Sequence, residues 1–225
     1  MNIKGDINKK KYIFSVEGNI GVGKSTFLKK FSKEFKNFEL VFEPNYHWQS
    51  INGYNLLNEF YKDMKRWAYS FETYALMTRI NSLNIIKKSR KNLFLFERSF
   101  LTNFYTFGKA CHFFGQMNKI EWEMYKNWYE WIILKENNQP DFFIYLRASP
   151  ETCDKRIKIR KREEETKISF EYLSLLHNYH DNWLLKDKNN IYVLHIDAEN
   201  DFESDINNWN KILFNINNFL EKKLQ

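Results

Sequence analysis

Residues 11–25 read Lys11-Tyr12-Ile13-Phe14-Ser15-Val16-Glu17-Gly18-Asn19-Ile20-Gly21-Val22-Gly23-Lys24-Ser25, and the fold turns on them. The first seven form a largely apolar run of strand length that stops at a glycine. From Lys24 onward Phe27, Leu28, Phe31 and Phe35 recur at the helical period. Between the two, Gly18 to Ser25 satisfies G-x-x-x-x-G-K-[ST] in full, in the strand–loop–helix setting that the motif requires. Backbone N–H groups of such a loop cradle phosphate oxygens, and the helix N-terminus adds positive potential. Lys24 is placed to reach the β and γ phosphates of ATP or GTP and Ser25 to ligate Mg²⁺. Gly18, Asn19, Ile20, Gly21, Val22, Gly23 and Thr26 complete the expected nucleotide cradle. An ordinary glycine-rich turn beside a capped helix is the bland alternative.

Working outward, Phe38 to Phe42 is a second strand candidate, stopped by Glu43-Pro44 because proline cannot continue a central strand. A long helical pattern runs from Leu56 to about Lys88. Asn92 to Glu97 reads as a third strand, followed by helices over 99–114 and 119–136. Asp141 to Leu146 reads as a fourth strand, and Ser149-Pro150-Glu151 offers an N-cap serine with proline at the first helical position. A charge-dense stretch from Arg156 to Lys167 leads to a helix over 169–186, a fifth strand at Ile191 to Ile196, and a last helix from about Phe202 to Leu220. Five strands alternating with helices predict an α/β chain: a five-stranded parallel sheet flanked by helices. No linker or internal repeat interrupts it, so residues 1–225 are expected to form one domain, with the phosphate loop at 18–25 and a short arginine-rich lid at about 156–167.

Composition agrees. The chain is 43% hydrophobic and 18% aromatic over 225 residues, which supplies a core and excludes disordered, collagen-like and coiled-coil readings. Only 7 Gly and 3 Pro argue against an all-β chain dense in tight turns. No apolar run approaches membrane-spanning length, and Met1 to Lys11 is too polar for a signal peptide. Cys111 and Cys153 lack metal-ligand spacing and read as packed thiols, so a cytoplasmic protein without metal–thiolate sites is expected. The net charge of +7 suits nucleic acid or polyphosphate ligands equally well.

A phosphate loop names a ligand but not a reaction. Ligands of open α/β sheets bind outside the carboxyl ends of the strands, and Glu43 and Glu97 both fall there. One such carboxylate can take a proton from an attacking hydroxyl, and the same one or the other can hold Mg²⁺. Arg156, Arg160 and Arg162, at i, i+4 and i+6, read either as guanidiniums for developing phosphoryl charge or as a solvated face paired with Glu163, Glu164 and Glu165. Phe71, Glu72, Ala75 and Arg79 share one helical stripe, and Asn103 and Phe107 form an i, i+4 pair after Glu97. Both stripes read either as core packing or as a pocket that stacks on a base and reads its edge.

The motifs together resemble the deoxynucleoside kinases of the animal and viral type, the group of deoxycytidine, deoxyguanosine and mitochondrial thymidine kinases. The resemblance runs through Gly18-Asn19-Ile20, Glu43-Pro44, Trp48, Arg66-Trp67, Phe71-Glu72-Thr73-Tyr74-Ala75, Glu97-Arg98-Ser99, Pro150-Glu151-Thr152-Cys153 with Arg156, and His177 to Trp183. It implies a P-loop kinase fold and ATP-dependent transfer of the γ-phosphoryl group to a deoxynucleoside 5′-hydroxyl. Glu97 would be the general base and a metal-site residue. Arg98 would sit beside the 5′-hydroxyl and the phosphates, with Glu43 supporting the 5′-oxygen and a metal-bound water. Tyr61 and Glu165 would grip the sugar 3′-hydroxyl, Trp48, Phe71 and Phe107 would line the nucleoside site, and Asp201-Phe202 would flank the adenine of ATP. Arg156, Arg160 and Arg162 would be lid arginines. The resemblance also implies a homodimer, small-molecule substrates, and no nucleic-acid or membrane partner.

Within this resemblance three positions concern the base. The family's base-reading glutamine is Glu72 here and a neighbouring aspartate is Asn103, while Arg79 and Ala75 follow the cytidine- and purine-preferring members. An ionised carboxylate only accepts hydrogen bonds, and guanine presents two adjacent donors, N1–H and its N2 amino group. Arg79 would donate to O6 and N7. A preference for deoxyguanosine is the expectation, against the reading in which Glu72 and Arg79 pair with each other. A nucleoside monophosphate kinase is the nearest rival, although carboxylates at the acceptor point fit an acceptor phosphate poorly. A GTP switch would need an Asn-Lys-x-Asp string after a strand, and Asn118-Lys119-Ile120-Glu121 follows none. A basic nucleic-acid module would need an aromatic-basic recognition motif, which is not found.

Overall fold

A computed structural model describes residues 10–186 and 191–224; residues 1–9, 187–190 and 225, including most of the polar amino-terminal stretch, lie outside them. Five strands form one sheet: β1 (Tyr12–Glu17), β2 (Phe38–Val41), β3 (Leu93–Glu97), β4 (Phe142–Arg147) and β5 (Tyr192–Asp197). Their order is β2-β3-β1-β4-β5, and every pairing is parallel. β1 is central because its residues are buried on both faces, as are those of β3. In register Val16 lies opposite Glu97 and Glu17 opposite Tyr145, so the carboxyl ends of β1, β3 and β4 finish together. From β1 the chain runs to β2 and β3 on one side of it and then crosses to β4 and β5 on the other, and that reversal opens a crevice at the strand ends.

The period-two alternation hidden in the apolar strands shows in the packing. Phe14, Val16, Leu93, Leu95, Phe142 and Ile144 turn to one layer, with Phe27, Leu28 and Phe31 of α1 (Lys24–Glu34) and the buried stripe Trp209, Ile212, Ile216 and Leu220 of the last helix. Ile13, Phe94, Phe96, Phe143 and Tyr145 turn to the other, against Trp48, Phe60, Phe71, Leu76 and Tyr125. No helix among the described residues is long and apolar enough to cross a membrane.

Helix boundaries depart from the sequence pattern in several places. A short α2 (Asn45–Gln49) follows Pro44. The stretch 56–88 divides into α3 (Leu56–Lys62), α4 (Met64–Ser82) and α5 (Asn84–Lys88). Asp63 makes the first break: at φ −143° it leaves the helical region, and its carboxylate accepts the Arg66 N–H at 3.0 Å as an N-cap. The 99–114 stretch opens as a π-helical turn (Asn103–Gly108) before α6 (Lys109–Phe113), followed by α7 (Lys119–Lys135). α8 (Pro150–Arg160) ends at Lys161, whose φ is +53°, and a 3₁₀ turn (Glu163–Lys167) follows. α9 (Phe170–Asp181) runs into a second π turn (Asn182–Lys186). The last helix, α10 (Ile206–Lys223), begins four residues later than the periodicity suggests, because Asp205 caps it by accepting from Asn207 and Asn208 N–H.

Candidate active site

The phosphate loop leaves β1 with left-handed backbone at Gly18, Gly21 and Gly23. A side chain at Gly18 would place Cβ 2.4 Å from the Leu146 carbonyl oxygen, and one at Gly21 would lie 2.5 Å from that of Cys153. Glycine is therefore required at both for reasons of space as well as of φ. Lys24 is buried, donating from Nζ to Asn19 O at 2.8 Å and Gly18 O at 3.2 Å. Burial, reinforced by the nearby Arg98, lowers its ammonium to about 7. The N-terminal turn of α1 also presents Ser25, whose hydroxyl donates to Glu97 Oε1 at 2.6 Å.

Glu97 closes β3, and Arg98 follows with a left-handed φ of +62°, which turns its side chain back across the sheet edge. Arg98 donates from Nη2 to Gly18 O at 3.0 Å and from Nη1 to both Glu43 oxygens at 3.1 and 3.2 Å. Arg79 of α4 donates to Glu43 as well and to the Asn103 side-chain oxygen. Burial alone would raise the Glu43 carboxyl, but Arg98 and Arg79 outweigh it and hold the group at about 2. All three side chains are nearly excluded from solvent, and Glu43 is the carboxylate that both arginines share, so removing it would leave two buried guanidiniums without their counter-charge at a cost of about 3–5 kcal/mol.

Glu72 lies beyond them, with Oε2 accepting from Asn103 Nδ2 at 2.8 Å. Burial pushes its carboxyl up to about 7, against the pull of Arg79 and of the Asn103 hydrogen bond. Glu72 and Arg79 do not form the pair considered above: Arg79 is held by Glu43 and Asn103, and Asn103 bridges the two residues. Arg79 Nε and Arg98 Nε have no hydrogen-bond partner among the described residues. The pocket wall is aromatic. Phe71 stacks on Phe60 at 4.4 Å and meets Trp48 edge-on at 5.5 Å, while Arg79 lies 4.9 Å over the Trp48 ring and Arg98 5.0 Å over Phe107.

One cleft collects most of the expected residues: Ile20, Gly21, Gly23, Lys24, Ser25 and Thr26 at one end, Glu43, Glu97 and Arg98 midway, and Trp48, Tyr61, Phe71, Glu72, Arg79 and Phe107 at the other. Arg160, Arg162 and Glu165 line it too, with both arginines paired to Glu165. Burial and then the Glu165 charge raise the Tyr61 phenol. Ala75 is buried behind the wall without lining it, and Asn103 acts through Arg79 and Glu72. Gly18, Asn19 and Val22 belong to the loop without lining the cleft. Arg156 faces away from the cleft, donating to Val22 O, Ala198 O, Glu199 O and Asn200 O. Asp201 is occupied with Glu203 N–H and Ser204, and Phe202 packs against Gly23 and Phe27. The sequence reading missed Asn45, Leu57 and Phe60, which also line the cleft. Leu57, Phe60 and Tyr61 share an i, i+3, i+4 stripe that was a usable signal for two of them.

Phosphate loops serve many reactions, and what narrows this one is the second compartment, where an apolar aromatic slot ends in a carboxylate and opens onto Glu97. Fold and cleft together define a nucleotide-dependent phosphotransferase. Comparison with known proteins completes the assignment. Residues 14–221 match the deoxynucleoside kinase family, and the chain belongs to it. It is similar to a probable deoxycytidine kinase of fowlpox virus, at 36% identity over 211 residues, covering 92% of this chain and 88% of that protein. Mitochondrial deoxyguanosine kinase of Xenopus laevis is 36% identical over 218 residues, covering 84% and 82%. Mitochondrial thymidine kinase 2 of Homo sapiens is 35% identical over 178 residues, covering 79% and 66%. The protein is therefore a phosphotransferase with an alcohol acceptor, phosphorylating nucleosides in nucleotide salvage, and membership implies ATP as the donor.

Proposed function

We propose that the enzyme transfers the γ-phosphoryl group of ATP to the 5′-hydroxyl of a deoxynucleoside, with Glu97 as general base. The supporting observation is the single continuous cleft, with phosphate loop and aromatic slot at its two ends and Glu97 and Arg98 between them. The nucleoside base enters between Phe71, Trp48 and Phe107, and its 5′-hydroxyl points back to Glu97. Glu97 takes the hydroxyl proton while Arg98 and Lys24 offset charge developing on the transferred group. Glu43 fixes Arg98 and Arg79 in place. Tyr61 and Glu165 hold the 3′-hydroxyl, and Arg160 and Arg162 form the lid over the phosphates. Arg156 ties the phosphate loop to residues 198–200, and Asp201 and Phe202 border the adenine side of that junction. A Mg²⁺ ion fits the donor set: Ser25 Oγ and Glu97 are adjacent hard oxygen ligands, and Mg²⁺ commonly takes one or two protein ligands with the rest from phosphate and water. It would screen the phosphate charge.

For the base we propose guanine. Relatives at nearly equal identity carry names for three different nucleosides, so the support comes from the pocket. Glu72 presents acceptors where guanine has two donors, and the unpartnered Nε belongs to Arg79 beside it. We also propose a homodimer. Ile120, Met124, Trp128, Trp131 and Leu134 form an exposed apolar stripe along α7, a surface that a second copy would cover.

The test is a transfer assay with Mg-ATP against the four deoxynucleosides and, separately, their four monophosphates, with products resolved by charge. Monophosphate formed from nucleosides, fastest with deoxyguanosine, is the expected result. Diphosphate formed only from monophosphates would transfer the chain to the monophosphate-kinase reading.

A further inference from the structure

Glu17, the last residue of β1, is completely buried and takes no part in the steps above. Its carboxylate collects four hydrogen bonds. Oε1 accepts from Ser15 Oγ at 2.6 Å, Ser99 N–H at 2.9 Å and Ser99 Oγ at 2.8 Å, and Oε2 accepts from Thr102 Oγ1 at 2.5 Å. Three of the four donors belong to the segment that follows Glu97 and Arg98. That segment needs holding: Arg98 sits at φ +62°, unfavourable for a residue with a Cβ, and its N–H is fixed to Val16 O at 3.0 Å. A buried carboxylate is costly unless it is hydrogen-bonded, and one satisfied by four donors rigidifies the segment that supplies them.

We infer that Glu17 is a positioning residue that locks the Glu97–Arg98 turn, and with it the start of the π turn bearing Asn103 and Phe107, onto the strand that launches the phosphate loop. It touches neither the cleft nor the reacting atoms. Through Ser99 it fixes where the Glu97 carboxylate stands relative to Ser25, and through Thr102 it fixes the base pocket relative to both. One side chain thereby sets the distance between the phosphoryl donor and its acceptor. The inference rests on Glu97 and Arg98 being the reacting-centre pair.

Glu17→Ala removes the acceptor and Glu17→Gln retains an oxygen for Ser99. Glu17→Ala is expected to lower kcat by about 10²-fold or more, with one ATP still bound per chain at an affinity within about threefold of wild type. Glu17→Gln should return kcat to within about tenfold of wild type. Should Glu17→Ala fail to fold, the Ser99→Ala/Thr102→Val double variant removes two of the donors, and a loss of about tenfold in kcat at unchanged ATP affinity is expected. A kcat within about twofold of wild type in the folded variant overturns the inference, and so does a parallel loss of kcat and ATP stoichiometry, which a merely structural role would produce. Glu97→Gln, measured alongside, separates the two claims. Turnover retained there rejects the reading of the reacting centre, whereas turnover lost there but kept in the Glu17 variants rejects only the role of Glu17.

Discussion

Glu72 is a carboxyl buried among Arg79, Asn103, Glu43 and Arg98, and burial moves it from an ordinary value of 4.5 to about 7. It therefore changes charge near neutral pH. Ionised, it accepts from both donors of the guanine edge; neutral, it donates from one oxygen and suits the acceptor-beside-donor edges of cytosine and adenine. The ratio of kcat/KM for deoxyguanosine over deoxycytidine is expected to rise by up to about a hundredfold between pH 6 and pH 8, following the ratio of ionised to neutral Glu72. Glu72→Gln should abolish that slope and lower guanine selectivity; a slope that persists in the variant would detach base choice from Glu72. The same shift has a consequence for stability. Because the folded value lies above the unfolded one, the native state binds more protons between about 4.5 and 7, and stability falls as pH rises through that window. Thermal unfolding should accordingly show the Glu72→Gln variant gaining on wild type at pH 8 relative to pH 5. That Glu72 and Arg79 share one face was legible from helical spacing, whereas Asn103 beside them followed only from the family resemblance. That Arg79 turns to Glu43 was not, since helical spacing cannot say which residue of another element competes for a guanidinium.

Helix interiors were readable and helix interruptions were not. The apolar period runs on through residue 63, and the local chemistry of one aspartate, as ready to be a surface charge as an N-cap, makes the break. The π turn at Asn103–Gly108 is a further case, because one extra residue per turn leaves composition unchanged. Its glycine offers the only hint. A Cβ at Gly108 would lie 2.6 Å from the Tyr125 ring and 2.9 Å from Asn103 O, so α7 packs against this turn through the missing side chain. Gly108→Ala is expected to destabilise the protein by about 1–3 kcal/mol. By displacing Asn103 it should also raise the KM for nucleoside while leaving that for ATP unchanged. Calorimetry with steady-state kinetics checks both, and a silent substitution would mean that the Tyr125 ring gives way.

At the scale of the molecule, the strands and their parallel pairing followed from alternation with helices, and the phosphate loop located the working edge of the sheet. The partner surface is equally a matter of pattern. Trp131 is 54% exposed and Leu134 81% exposed on a helix whose opposite side buries Tyr125 and Tyr129. Sedimentation equilibrium should give a dimer for the wild type and a monomer for Trp128→Glu/Trp131→Glu with its fold intact; a wild-type monomer would remove the dimer from the proposal. What pattern could not show is which carboxylate the arginine-bearing segment pairs with. Arg160 and Arg162 both rest on Glu165, while Glu164 accepts from Gln49 at 3.0 Å and Asn55 at 3.1 Å. On the roles proposed above, phosphates that draw the two guanidiniums away would release Glu165 for the sugar. Donor and acceptor would then communicate through an exchange of partners, and the two substrates should bind with positive heterotropic cooperativity. A non-hydrolysable ATP analogue is expected to tighten nucleoside binding about 5- to 10-fold, and by reciprocity the nucleoside should tighten the analogue by the same factor. Glu165→Gln, which frees the arginines beforehand, should reduce both factors toward unity in paired titrations.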